Sequence, residues 1–461
     1  MNKLYLIFIF LILLFSFSIQ SCRKADEFAD GDDAAFFAGG AQTVFDESGA
    51  AFSSAFPGLS SSQATLHEIG DGAFSETFVS APALLHQGLG PIFNNVSCSS
   101  CHIADGRGRP PVNVNEPLSS MLIRISIPGQ DIHGGPLAVL GFGTQLQQRS
   151  INGKMAEANV EINYLEQPYT YPDGENYSLR QPVYSFNNPY TTLPSNTLSS
   201  GRVAPAVFGL GLLEAIDEND LLALSDPNDF NGDGIKGKAN RVWDAINKKT
   251  TIGRFGWKAG NPSLLQQTAG AYNEDMGITS FVFPTESSNN QIQYDGINDE
   301  TEVSDSILYM VAFYLRSLAV PAPRKLNDLE IQHGKKIFTQ INCVGCHHAQ
   351  FITATNVVFP ALSNQKIFPY TDLLLHDMGN GLSDNRPDFL ASGNEWRTAP
   401  LWGIGLTKKV NGHNFFLHDG RARNLEEAIM WHGGEAVNAK NSFAQLSKND
   451  RGALIKFLNA L

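Results

Sequence analysis

Cysteine is scarce in this chain: 461 residues carry five. Cys22 closes an N-terminal apolar stretch, and the other four form the pairs Cys98/Cys101 and Cys343/Cys346. No cysteine is left over for an ordinary disulfide. Positive charge is also short. Against 46 Asp and Glu stand 33 Lys and Arg, a formal charge of −13, which argues against nucleic acid or an anionic membrane surface as the main partner. Long apolar runs are missing after the first. That run, Leu4 to Ile19, is short of the ~20 residues a spanning helix needs, and nothing later is long enough.

What is present begins at the N-terminus. Lys3 precedes the apolar run and "IQSC" follows it, the layout of a signal peptide. Residues 1–22 resemble a bacterial lipoprotein signal, in which Cys22 is lipidated and becomes the new N-terminus. A simple N-terminal membrane anchor is the alternative. Either way the chain is expected in the cell envelope, on the periplasmic or outer-surface face, touching the membrane only through that anchor. Residues 23–60, rich in Ala, Gly and acids at the start, read as a flexible tether.

The paired cysteines stand in "NNVSCSSCHIADGRG" and "INCVGCHH", two complete CxxCH motifs. Zinc would need further ligands at each motif or all four thiolates pooled. The two pairs lie in opposite halves of the chain, whereas zinc ribbons close over ~15–20 residues. A redox dithiol has no use for the histidine. Covalent haem uses all three residues: two thiols to reach the vinyl groups and an imidazole for the iron. The expected cofactors are two covalent haems c, with His102 and His347 as proximal ligands.

The motifs sit in similar surroundings. "PIFNNVSCSSCH" and "KIFTQINCVGCH" share Ile-Phe, four residues, then CxxCH, as if a helix enters each haem site from the same direction. "RVAPAVFGLGL" echoes "RTAPLWGIGL", and "LYMVAFYLRSL" echoes "RGALIKFLNAL", the last pair with apolar residues at helical spacing. The expectation is a mainly α protein with two cytochrome-c-like domains, 61–318 and 326–461, joined by a proline-punctuated linker at 319–325. Long loop and β insertions ("MLIRISIPG", "AEANVEINYLEQPYTYP", "TSFVFP") are placed in the first.

"GLGPIFNNVSCSSCH", "GLGLLEAI", "GRFGWKAG", "YTDLLLHDMG" and "LHDGRAR…WHGGEA" together resemble the di-haem oxidoreductase family, relatives of bacterial di-haem cytochrome c peroxidases. The resemblance runs from about residue 65 to the C-terminus. It implies two haems c, electron transfer and peroxide reduction. In those peroxidases a methionine follows the histidine of HDG by fourteen residues; the same count from His418 lands on His432. Met430, two residues earlier, points about 200° away on a helix. His432 is therefore favoured as the second iron's sixth ligand, with Met430, Met378 and His376 as alternatives. A histidine merely bonded at a helix C-terminus is the structural reading. His418 is assigned a structural role, tying Asp419 and Arg421 into a propionate region.

In the first half, Glu214 is a candidate distal acid–base group, able to carry a peroxide proton. His133 competes as ligand or base, and His67 and His86 follow. Arg202 and Arg397 suit haem propionates, and Trp257 is placed either between the haems or in the core. "DPNDFNGDGIKG" spaces Asp229, Asn231 and Asp233 as calcium loops do, although Asn240 stands where such a loop has Glu; a loop held by Asx bonds is the alternative.

Three functions compete. The favoured one is an enzyme that reduces hydrogen peroxide with electrons from a donor cytochrome or other redox protein. The second is an electron-transfer cytochrome without substrate chemistry, and the third a redox-sensing binding module.

Overall fold

The computed structural model describes residues 34–113, 116–296 and 301–461. Residues 1–33, with Cys22 and the signal segment, lie outside it. Among the described residues no helix is long and apolar enough to cross a membrane.

Two helix pairs frame the molecule. Helix α1 (Ser61–Ser75) packs on α2 (Asp305–Arg316), and α3 (Leu329–Gln340) packs on α5 (Lys448–Ala460); the short helix α4 (Leu425–Trp431) lies between α3 and α5 in sequence. Local signals start each one. Ser60, Ser304, Asp328, Asn424 and Ser447 all cap their helices by accepting a backbone N–H through the side chain. Both pairs cross at a glycine. A Cβ on Gly70 would stand 2.3 Å from Met310 O, and one on Gly334 would stand 2.0 Å from Ala453 O, so only glycine permits these backbones to approach. Four residues after each glycine comes a phenylalanine, Phe74 or Phe338. Each is buried and packs its ring on the histidine of a CxxCH motif: Phe74 to His102 at 6.0 Å and Phe338 to His347 at 6.2 Å between centroids.

This Gly-x-x-x-Phe correspondence replaces the one expected from Ile-Phe before each motif. Phe338 lies in α3, but Phe93 belongs to a two-residue strand, Ile92–Phe93. The helix equivalent to α3 is α1, and residues 76–97 intervene between it and the first motif. The other two echoes hold in space. Gly209 and Gly403 both adopt positive φ (69° and 68°). Two residues on, Cβ atoms on Gly211 and Gly405 would each meet a carbonyl at 2.1 Å, that of Arg316 at the end of α2 or of Asn459 in α5.

The molecule is not mainly α. It is 29% helix and 20% strand, and among the described residues the strands are spread over seven small sheets. Strand β1 (Thr43–Val44) is short. Strand β2 (Met121–Gln130) pairs antiparallel with β5 (Leu198–Val203), from Met121↔Val203 to Ser126↔Leu198. Met121, Ile123 and Ile125 are buried while Leu122 and Arg124 are less so, a period of two that a helix cannot use. Strands β3 (Asn159–Thr170) and β4 (Asn176–Asn187) form a hairpin in register from Asn159↔Asn187 to Thr170↔Asn176. The third expected β stretch, "TSFVFP", is a loop, with Thr279 bonded to Glu302.

Two further expectations are corrected. Residues 34–60 are packed rather than tether-like: Ala51, Phe52 and Phe56 are buried, and Phe52 stacks on Phe208 at 4.2 Å. The segment 319–325 is not a free linker. Ala319 and Val320 are fully buried, and β6 (Val320–Pro321) pairs parallel with β1. Aromatic anchors and a strand partner outweigh the local Ala, Gly and Pro content. The two halves also share their cores. One cluster joins Ile123 and Ile125 to Phe338 and Phe457, and another joins Phe52 and Val311 to Phe359 and Trp402.

Candidate functional site

Both CxxCH motifs open into one continuous cavity of about 990 Å³, at the upper end of the range for ligand sites. Cys98, Cys101, His102, Cys343, Cys346, His347 and His432 all line it. Burial pushes the thiols of Cys98, Cys101 and Cys343 up to about 12, and that of Cys346 also upward. Burial therefore disfavours the thiolate that an activated dithiol needs.

Three histidines share one arrangement. His102 donates from Nδ1 to Pro205 O at 2.7 Å, His347 to Tyr370 O at 2.9 Å, and His432 to Ala428 O at 2.7 Å. A carbonyl oxygen can only accept, so each Nδ1 carries the proton and each Nε2 keeps its lone pair. Burial lowers the pKa of all three, to about 4 for His102 and His347, which keeps the rings neutral at neutral pH. Neutral imidazole with Nδ1 anchored and Nε2 free is what iron ligation requires. His432 caps the C-terminal end of α4 and is close enough to His347 to depress that ring's pKa further.

The alternatives at the second site fare differently. His376 has both nitrogens engaged, Nε2 on Asp372 at 2.8 Å and Nδ1 on Glu435 at 2.7 Å; the two carboxylates hold it protonated, with its pKa well above the ordinary value. It has no lone pair to offer. Met430 is buried in the hydrophobic core and does not line the cavity. Met378 does line it.

In the first half, Glu214 is not the acid–base group expected of it. Its carboxylate is bound by Arg316 Nε at 2.5 Å and Nη2 at 3.2 Å, accepts the Leu264 N–H at 2.8 Å, and does not line the cavity. His67 is buried against Ser317, and His86 pairs with Glu76 on the surface; neither reaches the cavity. His133 does. It sits at the tip of a turn, exposed, its ring stacked on Trp243 at 4.0 Å, with Asp131 accepting its backbone N–H.

The arginines divide. Arg202 is already ion-paired, 2.8 Å from Asp388 and 3.6 Å from Asp384, two carboxylates it shares with Arg386 and Lys258. Arg397 hydrogen-bonds only carbonyls, Gly256 O at 2.8 Å and Thr398 O at 3.1 Å. Arg107, which the sequence reading missed, binds the carbonyls of Phe415 and Leu417 and lies 5.0 Å over Trp257. Among the described residues no carboxylate is within ion-pair distance of either. Burial lowers both to about 10, and both face the cavity. Arg107 and Arg397, rather than Arg202 and Arg397, are therefore the guanidiniums that fit propionate groups. The only sequence signal for Arg107 was its place just after the first CxxCH. Trp257, also lining the cavity, spans the boundary: its indole N–H donates to Val203 O, and its own carbonyl accepts the Arg397 N–H.

His418 stacks on Trp396 at 3.6 Å and lies 3.6 Å from Asp419, while Asp419 pairs with Arg421 at 2.8 Å. Of these three only His418 lines the cavity, so Asp419 and Arg421 brace the segment from behind.

In the candidate calcium loop the polar side chains are spent locally. Asn231 accepts from Asp233 N, Asp233 from Ile235 N, and Asp229 from Gly234 N, while Asn240 is buried elsewhere on Lys258 O and Asp388 O. This is an Asx-bonded turn. Among the described residues, no group of three or more His, Cys, Asp or Glu is arranged to hold a metal ion.

The family described as "Di-haem oxidoreductase, putative peroxidase" matches residues 33–461. No curated protein matches the chain. Among solved structures, the chain is similar to hydrazine synthase of Kuenenia stuttgartiensis pressurised with 20 bar xenon. Identity there is 14% over 86% of this chain and 92% of that one, with a TM-score of 0.34. It is also similar to a MauG-like protein associated with microbial copper homeostasis, at 14% identity over 55% of this chain and 89% of that one, TM-score 0.27. At these TM-scores neither likeness bears on the chemistry.

Proposed function

This chain belongs to the di-haem oxidoreductase family, and on that premise we propose that it is an exported, lipid-anchored enzyme that reduces hydrogen peroxide. The haems are held covalently, one by Cys98 and Cys101 and one by Cys343 and Cys346. His102 and His347 are the proximal ligands, and His432 closes the second iron. The bound haems supply the redox chemistry. The observation that carries the reading is the shared tautomer of those three imidazoles around a single cavity.

Each remaining role falls to a residue of this chain. Arg107 and Arg397, facing the cavity, would bind the haem propionates. His133, at the solvent edge of the cavity, is positioned to move a proton between water and substrate. Reducing one peroxide to two waters takes two electrons and two protons. Two haems match a donor that delivers electrons singly, a small redox protein for which the net charge of −13 suits a basic surface. Cys22, outside the described residues, carries the lipid. The electron-transfer reading differs at one point, whether anything ligates the first iron, and His133 is the ring that would do so.

The experiment is an EPR spectrum of the loaded protein followed by His432 variants. One low-spin and one high-spin haem are expected. His432→Ala should render the second haem high-spin, and His432→Met should keep it low-spin at a raised potential. Two low-spin haems and no peroxide turnover would favour electron transfer alone. If Met378→Ala rather than His432→Ala opens the second site, methionine is the ligand.

A further inference from the structure

The β3–β4 hairpin is an insertion in the first half, yet its side chains are spent on the second. A two-stranded hairpin is marginal alone in water, so what it packs on is informative. Arg180, buried in β4, donates from Nε to Arg421 O at 2.9 Å and from Nη2 to Gly420 O at 3.2 Å. Its guanidinium lies between rings, 4.1 Å over Tyr164 of the hairpin and 4.9 Å over Phe415 of the segment it grips. Among the described residues no carboxylate is within ion-pair distance of Arg180, so its hydrogen bonds go to that backbone alone. Next along the chain, Arg423 reaches Glu166 at 2.9 Å and Ser178 O at 3.1 Å. At the hairpin turn, Tyr171 donates its hydroxyl to Glu426 at 3.0 Å, while Asp173 and Glu175 take Arg451 of α5 at 2.8 and 2.7 Å.

Apart from the Arg451 pairs, which tie the turn to α5, the hydrogen bonds converge on one short stretch, Gly420 to Glu426, which ends in the first turn of α4. That helix spans seven residues, ~10 Å at 1.5 Å per residue, and its far end is His432. A rigid helix this short passes a displacement at its start to its end almost undiminished. The cavity-facing ring is thus held from behind by an element of the other half.

We propose that the β3–β4 hairpin is a clamp that sets where His432 stands, with Arg180 and Tyr171 as its positioning residues. The proposal rests on His432 as the second iron's ligand. Releasing the clamp leaves two carbonyls of the gripped segment without their donor and frees the first turn of α4, so the His432 ring no longer holds a fixed place in the cavity.

The test uses full-length, haem-loaded protein carrying Arg180→Ala with Tyr171→Phe, compared with Arg180→Lys, Tyr171→Phe alone and His432→Ala. Two signals are read: the spin state of each haem by EPR, and amide hydrogen exchange across residues 425–432. In the double variant part of the second haem should turn high-spin and exchange in 425–432 should quicken. The first haem should be unchanged, and Arg180→Lys should restore most of both signals. Wild-type exchange and a fully low-spin second haem in the double variant, beside a high-spin His432→Ala, would overturn the clamp. A low-spin His432→Ala would overturn the ligand assignment instead, a result the exchange data do not depend on. Should the double variant fail to fold, Tyr171→Phe alone carries the same comparison, because it deletes one hydroxyl bond to α4.

Discussion

Two glycines in the α3–α5 pair make opposite predictions from the same substitution. At Gly334 a methyl carbon would lie 2.0 Å from Ala453 O and 2.6 Å from Ala453 C. Both are backbone atoms, so no side chain can swing aside, and the helices must separate by more than an ångström to reach ordinary contact. Overpacking of this kind costs ~1–3 kcal/mol. Against it stands the gain of alanine over glycine within a helix, ~1 kcal/mol. Gly452, in α5, has no atom within 4 Å of its would-be Cβ, so Gly452→Ala should show the propensity gain alone. In the difference between the two variants propensity cancels, leaving the crossing term of ~1–3 kcal/mol. Gly452→Ala should melt at or above the parent, and Gly334→Ala should melt below Gly452→Ala. The comparison uses thermal and denaturant unfolding of the loaded protein, each variant under the same haem occupancy. A spectral change should accompany only Gly334→Ala, because Phe338, one turn on, packs on His347 and on Phe457 of α5 at 5.4 Å. Equal midpoints for the two variants would refute the close crossing and the shared Gly-x-x-x-Phe logic of the halves.

Other outcomes follow from single features. Protein matured in a host with haem-attachment machinery should keep two haems after denaturation, and Cys98→Ala with Cys101→Ala should leave one, counted by pyridine haemochrome absorbance per chain. Cys22→Ser should abolish lipid labelling and leave the precursor unprocessed or cut elsewhere, which mass spectrometry of the N-terminal peptide would report. Burial holds His418 down to about 3, below the ordinary 6.5 of an unfolded histidine. Between those values the unfolded chain binds a proton that the folded one refuses. Its contribution is therefore present above pH 6.5 and lost as pH falls toward 3, by up to ~1.4 kcal/mol per pH unit. His418→Phe keeps the stack on Trp396 and should flatten acid destabilisation by about one proton's worth, measured as the slope of stability between pH 6 and 4.

Covalent chemistry and local periodicity were legible in the sequence. The CxxCH reading rests on two thiols and an imidazole that are close in the chain, so spacing alone carries it. The duplicated Arg-x-Ala-Pro and terminal-helix segments were legible for the same reason, since helix contacts recur every three or four residues. His432 was singled out by counting from His418 in the register of the peroxidases the chain resembles, and the fold brings it to the cavity wall. Whatever depends on residues far apart in the chain was not. Glu214 looked like a free acid until the fold brought Arg316 and the Leu264 N–H to it. Arg202 looked like a propionate anchor until Asp384 and Asp388 arrived from the other half. Arg107 became an anion-binding candidate only because, among the described residues, no carboxylate pairs with it. Residues 34–60 read as part of a tether because their packing depends on a distant strand at Val320. The sequence by itself carried the two CxxCH spacings and the stretch from His418 to His432, because each lies within one continuous segment. Only the tertiary structure decided which charges are spent and which remain, because an ion pair depends on separation in space, and chain order does not specify it.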